Sequence, residues 1–205
     1  MTGLVIDPIK QEKLRTFASM VLKFGRSFTS HDSFDELWIL SIMDSMIGWT
    51  KILAEYKGNI DLVTDVGSGA GFPAIVISIL SPNIEVISVE KRKKAVLFME
   101  MVKEKLKLEN FQPICKDIKK FTVDSGIIVS RAVAPTGKFL SLLKNVDNRV
   151  PVFLWKGPKW KEEIKQIQDI WYPFFKAEYH LSIDGEVRTR FIVGLRRYEE
   201  EEKTD

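Results

Sequence analysis

Apolar residues recur at helical spacing over residues 8–28, where Leu14, Phe17, Ala18, Val21 and Leu22 would share one face. The polar stretch Ser27-Phe28-Thr29-Ser30-His31-Asp32-Ser33 interrupts this pattern. A second helical pattern follows, with Leu37, Leu40, Met43 and Ile47 on one face. Residues 1–57 thus read as a helical extension without strand patterning. The character changes at Gly58-Asn59. Short β-rich runs at Leu62–Val66, Glu85–Glu90, Pro113–Cys115, Gly126–Ser130 and Val150–Trp155 then alternate with helical stretches. Those stretches are 72–80, 93–108 (Val96, Met99, Val102, Lys103, Leu106), 136–145 and 159–171 (Trp160, Ile164, Ile167, Trp171). Strands alternating with helices imply a parallel sheet with right-handed crossovers. Two last runs, Glu178–Ile183 and Val187–Leu195, flank Asp184-Gly185, a hairpin signal that adds antiparallel strands at one edge. The expected fold is α/β: a seven-stranded, mostly parallel, doubly wound Rossmann-like domain over residues 58–198. A C-terminal antiparallel hairpin and an N-terminal helical extension complete it, and 199–205 form an acidic tail expected to be disordered.

Composition supports a packed domain: 45% of the 205 residues are apolar, with 13 Phe and 5 Trp. A lone cysteine, Cys115, excludes an internal disulfide scaffold, and His31 and His180 make no zinc-spaced cluster. No metal site is expected. No apolar run approaches the roughly 20 residues that span a bilayer, and Asp7, Lys10, Glu12, Lys13 and Arg15 break any signal-peptide core. A cytoplasmic protein without membrane contact is therefore expected.

The segment Asp65-Val66-Gly67-Ser68-Gly69-Ala70-Gly71-Phe72-Pro73 follows the first strand and opens the next helix. Glycines there let the backbone approach a ligand and take positive φ. Glu90 ends the second strand, 23 residues after Gly67. In a doubly wound sheet both lie at the carboxyl ends of adjacent strands, beside the ligand crevice. A carboxylate so placed can accept hydrogen bonds from two ribose hydroxyls, although Glu90 alone reads equally as a solvated strand end. A dinucleotide loop is spaced Gly-x-Gly-x-x-Gly; here the spacing is Gly-x-Gly-x-Gly, preceded by an acid. S-adenosylmethionine carries an ammonium, a sulfonium and a ribose but no phosphate, and suits this loop better than NAD. Asp65 reads equally as a partner of the methionine ammonium or as a support of the turn.

Absent motifs narrow the methyl acceptor. Methylating C5 of a pyrimidine needs a cysteine nucleophile, and Cys115 reads as a buried small apolar residue of a strand. Exocyclic amines are commonly methylated by an Asn/Asp-Pro-Pro-aromatic loop after the fourth strand, where this chain has Arg131-Ala132-Val133-Ala134-Pro135. An acceptor that already owns a lone pair, such as guanine N7, remains. It needs no general base, and alignment supplies most of the rate.

At these residues the chain resembles the bacterial small-subunit ribosomal RNA guanine-N7 methyltransferases of the glucose-inhibited division protein B family. The resemblance runs through Met43-Asp44-Ser45, the glycine loop, Leu106-Lys107-Leu108-Glu109-Asn110, Val129-Ser130-Arg131-Ala132, Leu154-Trp155-Lys156-Gly157 and Asp184-Gly185-Glu186. It implies a class I S-adenosylmethionine-dependent methyltransferase acting as a monomer on 16S ribosomal RNA, within a small subunit or its precursor. It also implies cofactor contacts from Asp65, Gly67, Ser68, Gly69, Gly71, Phe72, Glu90, Asp117, Ile118, Lys119 and Arg131. Arg131, Lys156 and Asp44 would seat the substrate. The chain departs from the family pattern at Leu40-Ser41, where Arg-His is usual, at Ala95, where a basic residue is usual, and at Lys119, where an acid is usual. These changes keep two other readings open: an RNA-binding assembly protein that has lost activity, and a methyltransferase for another substrate. Ser41 reads as structural, Asp44 as a substrate contact or a helix-packing bond, and His31 and His180 as surface residues.

Charge sharpens this picture. The formal net charge is +3, from 31 Lys plus Arg against 28 Asp plus Glu. Residues 91–120 hold ten Lys or Arg against four acids, whereas 199–205 hold five acids against Lys203. The basic charge thus gathers beside the expected crevice, a footprint suited to structured RNA. The run Lys91-Arg92-Lys93-Lys94 opposes the dipole of the helix it opens, so it reads as a solvated helix start or as a surface facing a polyanion.

Overall fold

The computed structural model describes residues 6–24, 28–167 and 169–198; the expected acidic tail and the start of the polar stretch at Ser27 lie outside them. Seven strands form one sheet in the order β3-β2-β1-β4-β5-β7-β6. They are β1 Leu62–Val66, β2 Glu85–Glu90, β3 Phe111–Cys115, β4 Ile127–Arg131, β5 Val152–Lys156, β6 Trp171–Ile183 and β7 Glu186–Arg197. Strands β1 to β5 pair parallel; β7 runs antiparallel to both β5 and β6. The central strands β1, β4 and β5 are buried along almost their whole length, as strands covered on both faces must be. The hairpin turns at Asp184 and Gly185, with φ of 49° and 79°, the paired positive values of a tight two-residue turn.

One face of the sheet carries α1 Pro8–Phe24, α3 Asp44–Glu55, α4 Ala74–Leu80 and α5 Lys93–Leu106; the other carries α6 Thr136–Leu140 and α7 Trp160–Lys165. Each face has its own apolar core. Leu14, Phe17, Trp49, Phe98 and Phe153 belong to the first, and Phe139, Leu143, Leu154 and Trp160 to the second. Asn110 ties the first layer to the strands: its Nδ2 donates to Ser78 O, Ser81 O and Ile84 O, and its Oδ1 accepts from Ser78 Oγ.

Four expectations need correction. The helix of residues 34–55 is not uniform: α2 Phe34–Leu37 passes through a π-helical turn, Trp38–Met43, into α3. An α-helix advances about 100° per residue, so the extra residue of a π turn rotates everything after it. Leu37 and Leu40 are buried as expected, but Met43 and Ile47 are only partly so, and Asp44, Ser45, Met46, Trp49 and Ile52 take the inner face. The same helix is long and apolar enough to cross a membrane, contrary to the expectation that no such run exists; 56% of its most apolar window is buried here, where the domain core occupies it. The expected helix 159–171 ends at Lys165, and Trp171 opens β6; the irregularity between Pro173 and Phe175 hides the alternation of that strand's first half. The helix expected over 136–145 ends at Leu140.

The fit of α3 on the sheet is close at Gly48. A Cβ there would overlap the indole of Trp155 and sit 2.7 Å from Ile192 Cδ1. Gly48→Ala should therefore lower stability by about 1–3 kcal/mol through overpacking, despite the better helix propensity of alanine. Urea unfolding monitored by tryptophan fluorescence measures this; a stabilised variant would mean that α3 is not seated as described.

Candidate functional site

The loop between β1 and α4 takes its shape from its glycines. Gly67, Gly69 and Gly71 have φ of 78°, 59° and 102°, values that side-chain-bearing residues rarely adopt. A Cβ on Gly67 would meet Val133 Cγ2 at 2.5 Å, so the loop after β4 rests directly on this glycine. Asp65 is fully buried beneath the turn. Its Oδ2 accepts from Ala74 N at 3.0 Å, at the start of α4, and its Oδ1 makes no hydrogen bond. This geometry favours the turn-supporting role for Asp65. Burial pushes its carboxyl up to about 7, against the opposing pull of the nearby Ser68 hydroxyl, the Ala74 N–H and Arg131. Ser68 is also internal, its Oγ accepting from Ser88 Oγ at 2.7 Å.

Glu90 reaches the same loop from β2. Its Oε2 accepts from Gly69 N and its Oε1 from Arg92 N, both at 3.0 Å. The Arg92 guanidinium folds back onto both oxygens at 3.3 and 3.4 Å while staying half exposed. Beside this carboxylate lies a cavity of about 390 Å³, within the size range of small-molecule sites. Val66, Val89, Ile118, Val133 and Leu142 supply its apolar walls, and Gly67, Glu90, Lys91, Arg92, Lys116, Asp117, Lys119 and Ala132 the rest. Asp117 turns its Oδ1 to Lys119 N, capping a 3₁₀ turn, Ile118–Lys120. Of the anticipated cofactor residues, Gly67, Glu90, Asp117, Ile118 and Lys119 line this cavity; Asp65, Ser68, Gly69 and Gly71 shape the loop behind it. Phe72 does not face it. Its ring packs on Phe17, centroids 4.9 Å apart, in the layer on the other side of the sheet.

Arg131 also lies on that other side. Its Nη1 donates to Leu40 O and Asp44 Oδ2, its Nη2 to Ser41 Oγ, all at 3.0 Å. Its guanidinium carbon sits 5.1 Å above the centre of the Phe72 ring. Asp44 is buried and further bonded: Tyr179 donates its hydroxyl to Oδ1 at 2.8 Å, and Arg190 Nε stands 3.7 Å away. Burial, then the Asp44 charge, pushes the Tyr179 phenol well above its usual range. Ser41 Oγ lies 3.2 Å from His31 Nε2. His31 is therefore a half-buried member of this network rather than a surface residue; burial and the Arg131 charge lower its pKa. His180 is exposed, as expected.

Lys156 stands apart from Arg131. Neighbouring residues of a strand face opposite ways: Trp155 belongs with Arg131 and Asp44, to whose peptide oxygen it donates Nε1 at 3.0 Å. Lys156 points to α7, where its Nζ lies 2.7 Å from Glu163 Oε2. The two cations expected to seat the substrate together thus occupy separate ion pairs on the two faces of the sheet. Cys115 is exposed, not buried: it ends β3 at the sheet edge, its Sγ 3.9 Å from Lys91 O. Tyr179, Arg190 and Glu163 were not anticipated, because their importance comes from partners distant in sequence. Lys91 and Arg92 did carry a signal, the uncapped basic start of α5.

Comparison with known proteins now adds to this geometry. A family model described as rRNA small subunit methyltransferase G matches residues 10–185. The chain belongs to this family. Curated relatives named ribosomal RNA small subunit methyltransferase G include one from Rickettsia akari, 31% identical over 179 residues (85% of this chain, 88% of the relative). Another, from Paracoccus denitrificans, is 26% identical over 189 residues, covering 90% and 95%. Among solved structures, magnesium protoporphyrin IX methyltransferase from Synechocystis with bound cofactor superposes with a TM-score of 0.61 at 16% identity, covering 95% of this chain and all of that one. Ribosomal protein L11 methylase from Lactobacillus delbrueckii gives 0.55 at 13% identity, covering 78% and 79%. These likenesses establish the class I methyltransferase fold.

Asp65 gives a testable pH dependence. Its folded pKa, about 7, lies above the ordinary aspartate value of 3.8, so the folded state holds a proton that the unfolded state releases. The associated stability is fully present below about pH 4 and is lost as pH rises towards 7. Asp65→Asn keeps an acceptor for Ala74 N and should flatten the fall in stability between these limits. Denaturation midpoints across pH 4–8 check this; parallel curves for both proteins would contradict it.

Proposed function

We propose that this protein transfers a methyl group from S-adenosylmethionine to N7 of a guanine in 16S ribosomal RNA. The observation that carries the proposal is the cavity formed by Gly67, Glu90 and Ile118 at the carboxyl ends of β1 and β2, in a chain of this family. The residues fit the cofactor. Glu90 offers two carboxylate oxygens to a ribose diol once the half-exposed Arg92 swings aside, and Ile118, Leu142 and Val133 offer apolar walls to an adenine. When bound, the cofactor supplies an electrophilic methyl on a sulfonium. The protein's own task is to align the acceptor and exclude water, because guanine N7 brings its own lone pair. Neither His31 nor His180 lines the cavity, which agrees with chemistry that needs no proton acceptor. Arg131 anchors one end of the loop whose Val133 covers Gly67, so the network around Asp44 sets where the substrate-side wall stands. The basic rim of Lys91, Arg92, Lys116 and Lys119 suits an RNA backbone. The protein is read as a cytoplasmic monomer acting on the small subunit or its precursor.

Labelled methyl transfer to isolated small subunits and to free 16S RNA, with the modified base mapped, tests the proposal. Cofactor binding without transfer to any RNA would sink it in favour of a non-catalytic assembly role. Arg131→Ala should reduce transfer on the order of 100-fold, the scale of a small misplacement of reacting groups, while changing the cofactor Kd less than about threefold. Equal losses in both would assign Arg131 to the cofactor instead.

A further inference from the structure

Glu163 appears in none of the roles above, yet one of its oxygens holds three donors. Oε2 accepts from Thr136 N at 2.6 Å, Thr136 Oγ1 at 2.7 Å and Lys156 Nζ at 2.7 Å. The donors come from two elements, the start of α6 and the exit of β5, and Glu163 itself is carried on α7. Thr136 is buried, and the side chains of Lys156 and Glu163 are 12% and 30% exposed. Burial raises the Glu163 carboxyl, but the bonds from Lys156 and Thr136 outweigh it and hold the group below its ordinary value.

Between Arg131 and Thr136 runs the loop that borders the cavity. Ala132 sits at φ 55°, a conformation that costs energy for a residue with a Cβ. Val133 rests on Gly67 although it is 38% exposed. A strained, exposed loop of this kind keeps one shape only if both ends are held. The Arg131 end is fixed by Leu40, Ser41 and Asp44. The Thr136 end is fixed by Glu163.

We infer that Glu163 is a positioning residue for methyl transfer: its carboxylate fixes the Lys156 ammonium and the far end of the 132–135 loop in one mutual arrangement. Lys156 spends one of its three N–H donors on Glu163, leaving two to offer to acceptors on an incoming base or phosphate.

This inference rests on the proposed methyl transfer, and the test separates the two. Full-length wild type, Glu163→Gln and Glu163→Ala are compared for kcat and KM on small subunits, for cofactor Kd, and for the midpoint of urea unfolding. Glutamine keeps an acceptor for Thr136 but removes the charge. Expected are a kcat loss of about 10-fold for Gln and on the order of 100-fold for Ala, the scale of a small misplacement of reacting groups, with cofactor Kd within about twofold. Glutamine should recover about 10-fold of the kcat that alanine loses, with the urea midpoints of the two variants equal, a graded rescue that a merely structural role would not give. A kcat within about twofold of wild type in both variants, or kcat losses that track losses in cofactor Kd or urea midpoint, would overturn the inference while leaving the transferase reading intact. Wild type that binds cofactor but methylates no RNA would overturn both.

Discussion

Asp44 binds the N-terminal helices to the sheet with both its carboxylate and its peptide oxygen. Tyr179 on β6 and Arg131 on β4 donate to the carboxylate, Trp155 on β5 donates to the peptide oxygen, and Arg190 on β7 stands beside it. A carboxylate left 4% exposed survives only with such partners, since an unpaired buried charge costs several kcal/mol. The constraint therefore runs both ways. Four strands must lie in the right register to satisfy one residue, and that residue then fixes where the helical layer sits. The π turn before Asp44 is part of the arrangement. It brings Leu40 O and Ser41 Oγ to the same guanidinium, so Arg131 is held by three acceptors and by the face of Phe72.

The consequence for the site is a division of labour across the sheet. On the α6–α7 face, β1, β2 and the loop after β4 enclose the cavity against Ile118 and Leu142. On the helical face, the Asp44 network and the Phe17–Phe72 contact hold the same loops from behind. The glycine loop joins the two, with Gly67 open to the cavity and Phe72 anchored in the opposite core. The loop from Ala132 to Pro135 does the same between Arg131 and Thr136. The cavity wall thus mixes apolar side chains with an exposed charged rim, and the buried ion pair that orders the loops behind it lies one layer away. Active-site geometry of this kind is set by packing behind the loops as much as by the residues in them.

Much of this was legible from the chain. The alternation of strand and helix, the three glycines after a β run, the 23-residue spacing from Gly67 to Glu90 and the Asp184-Gly185 turn all follow local rules, and the structure matches them. Local rules failed where a local signal had two readings. Trp160, Ile164, Ile167 and Trp171 fall at helical spacing, yet Trp171 is the first residue of a strand. Met43 and Ile47 continue a helical stripe that the π turn redirects. Cys115 looks like a core residue by type and lies exposed at the sheet edge.

The sequence by itself determined the fold class, the position of the glycine loop and its acid, and the segregation of basic charge to residues 91–120. Each of these depends on residue type and short-range spacing. Only the tertiary structure decided which charged groups meet. Asp44 with Arg131 and Tyr179, and Lys156 with Glu163 and Thr136, are brought together by strand order and by the alternation of neighbouring side chains across a sheet. It also decided that Arg131 and Lys156, which look alike in the chain, work from opposite faces. Pairing across tens of residues is a property of how layers stack, and no local pattern encodes it.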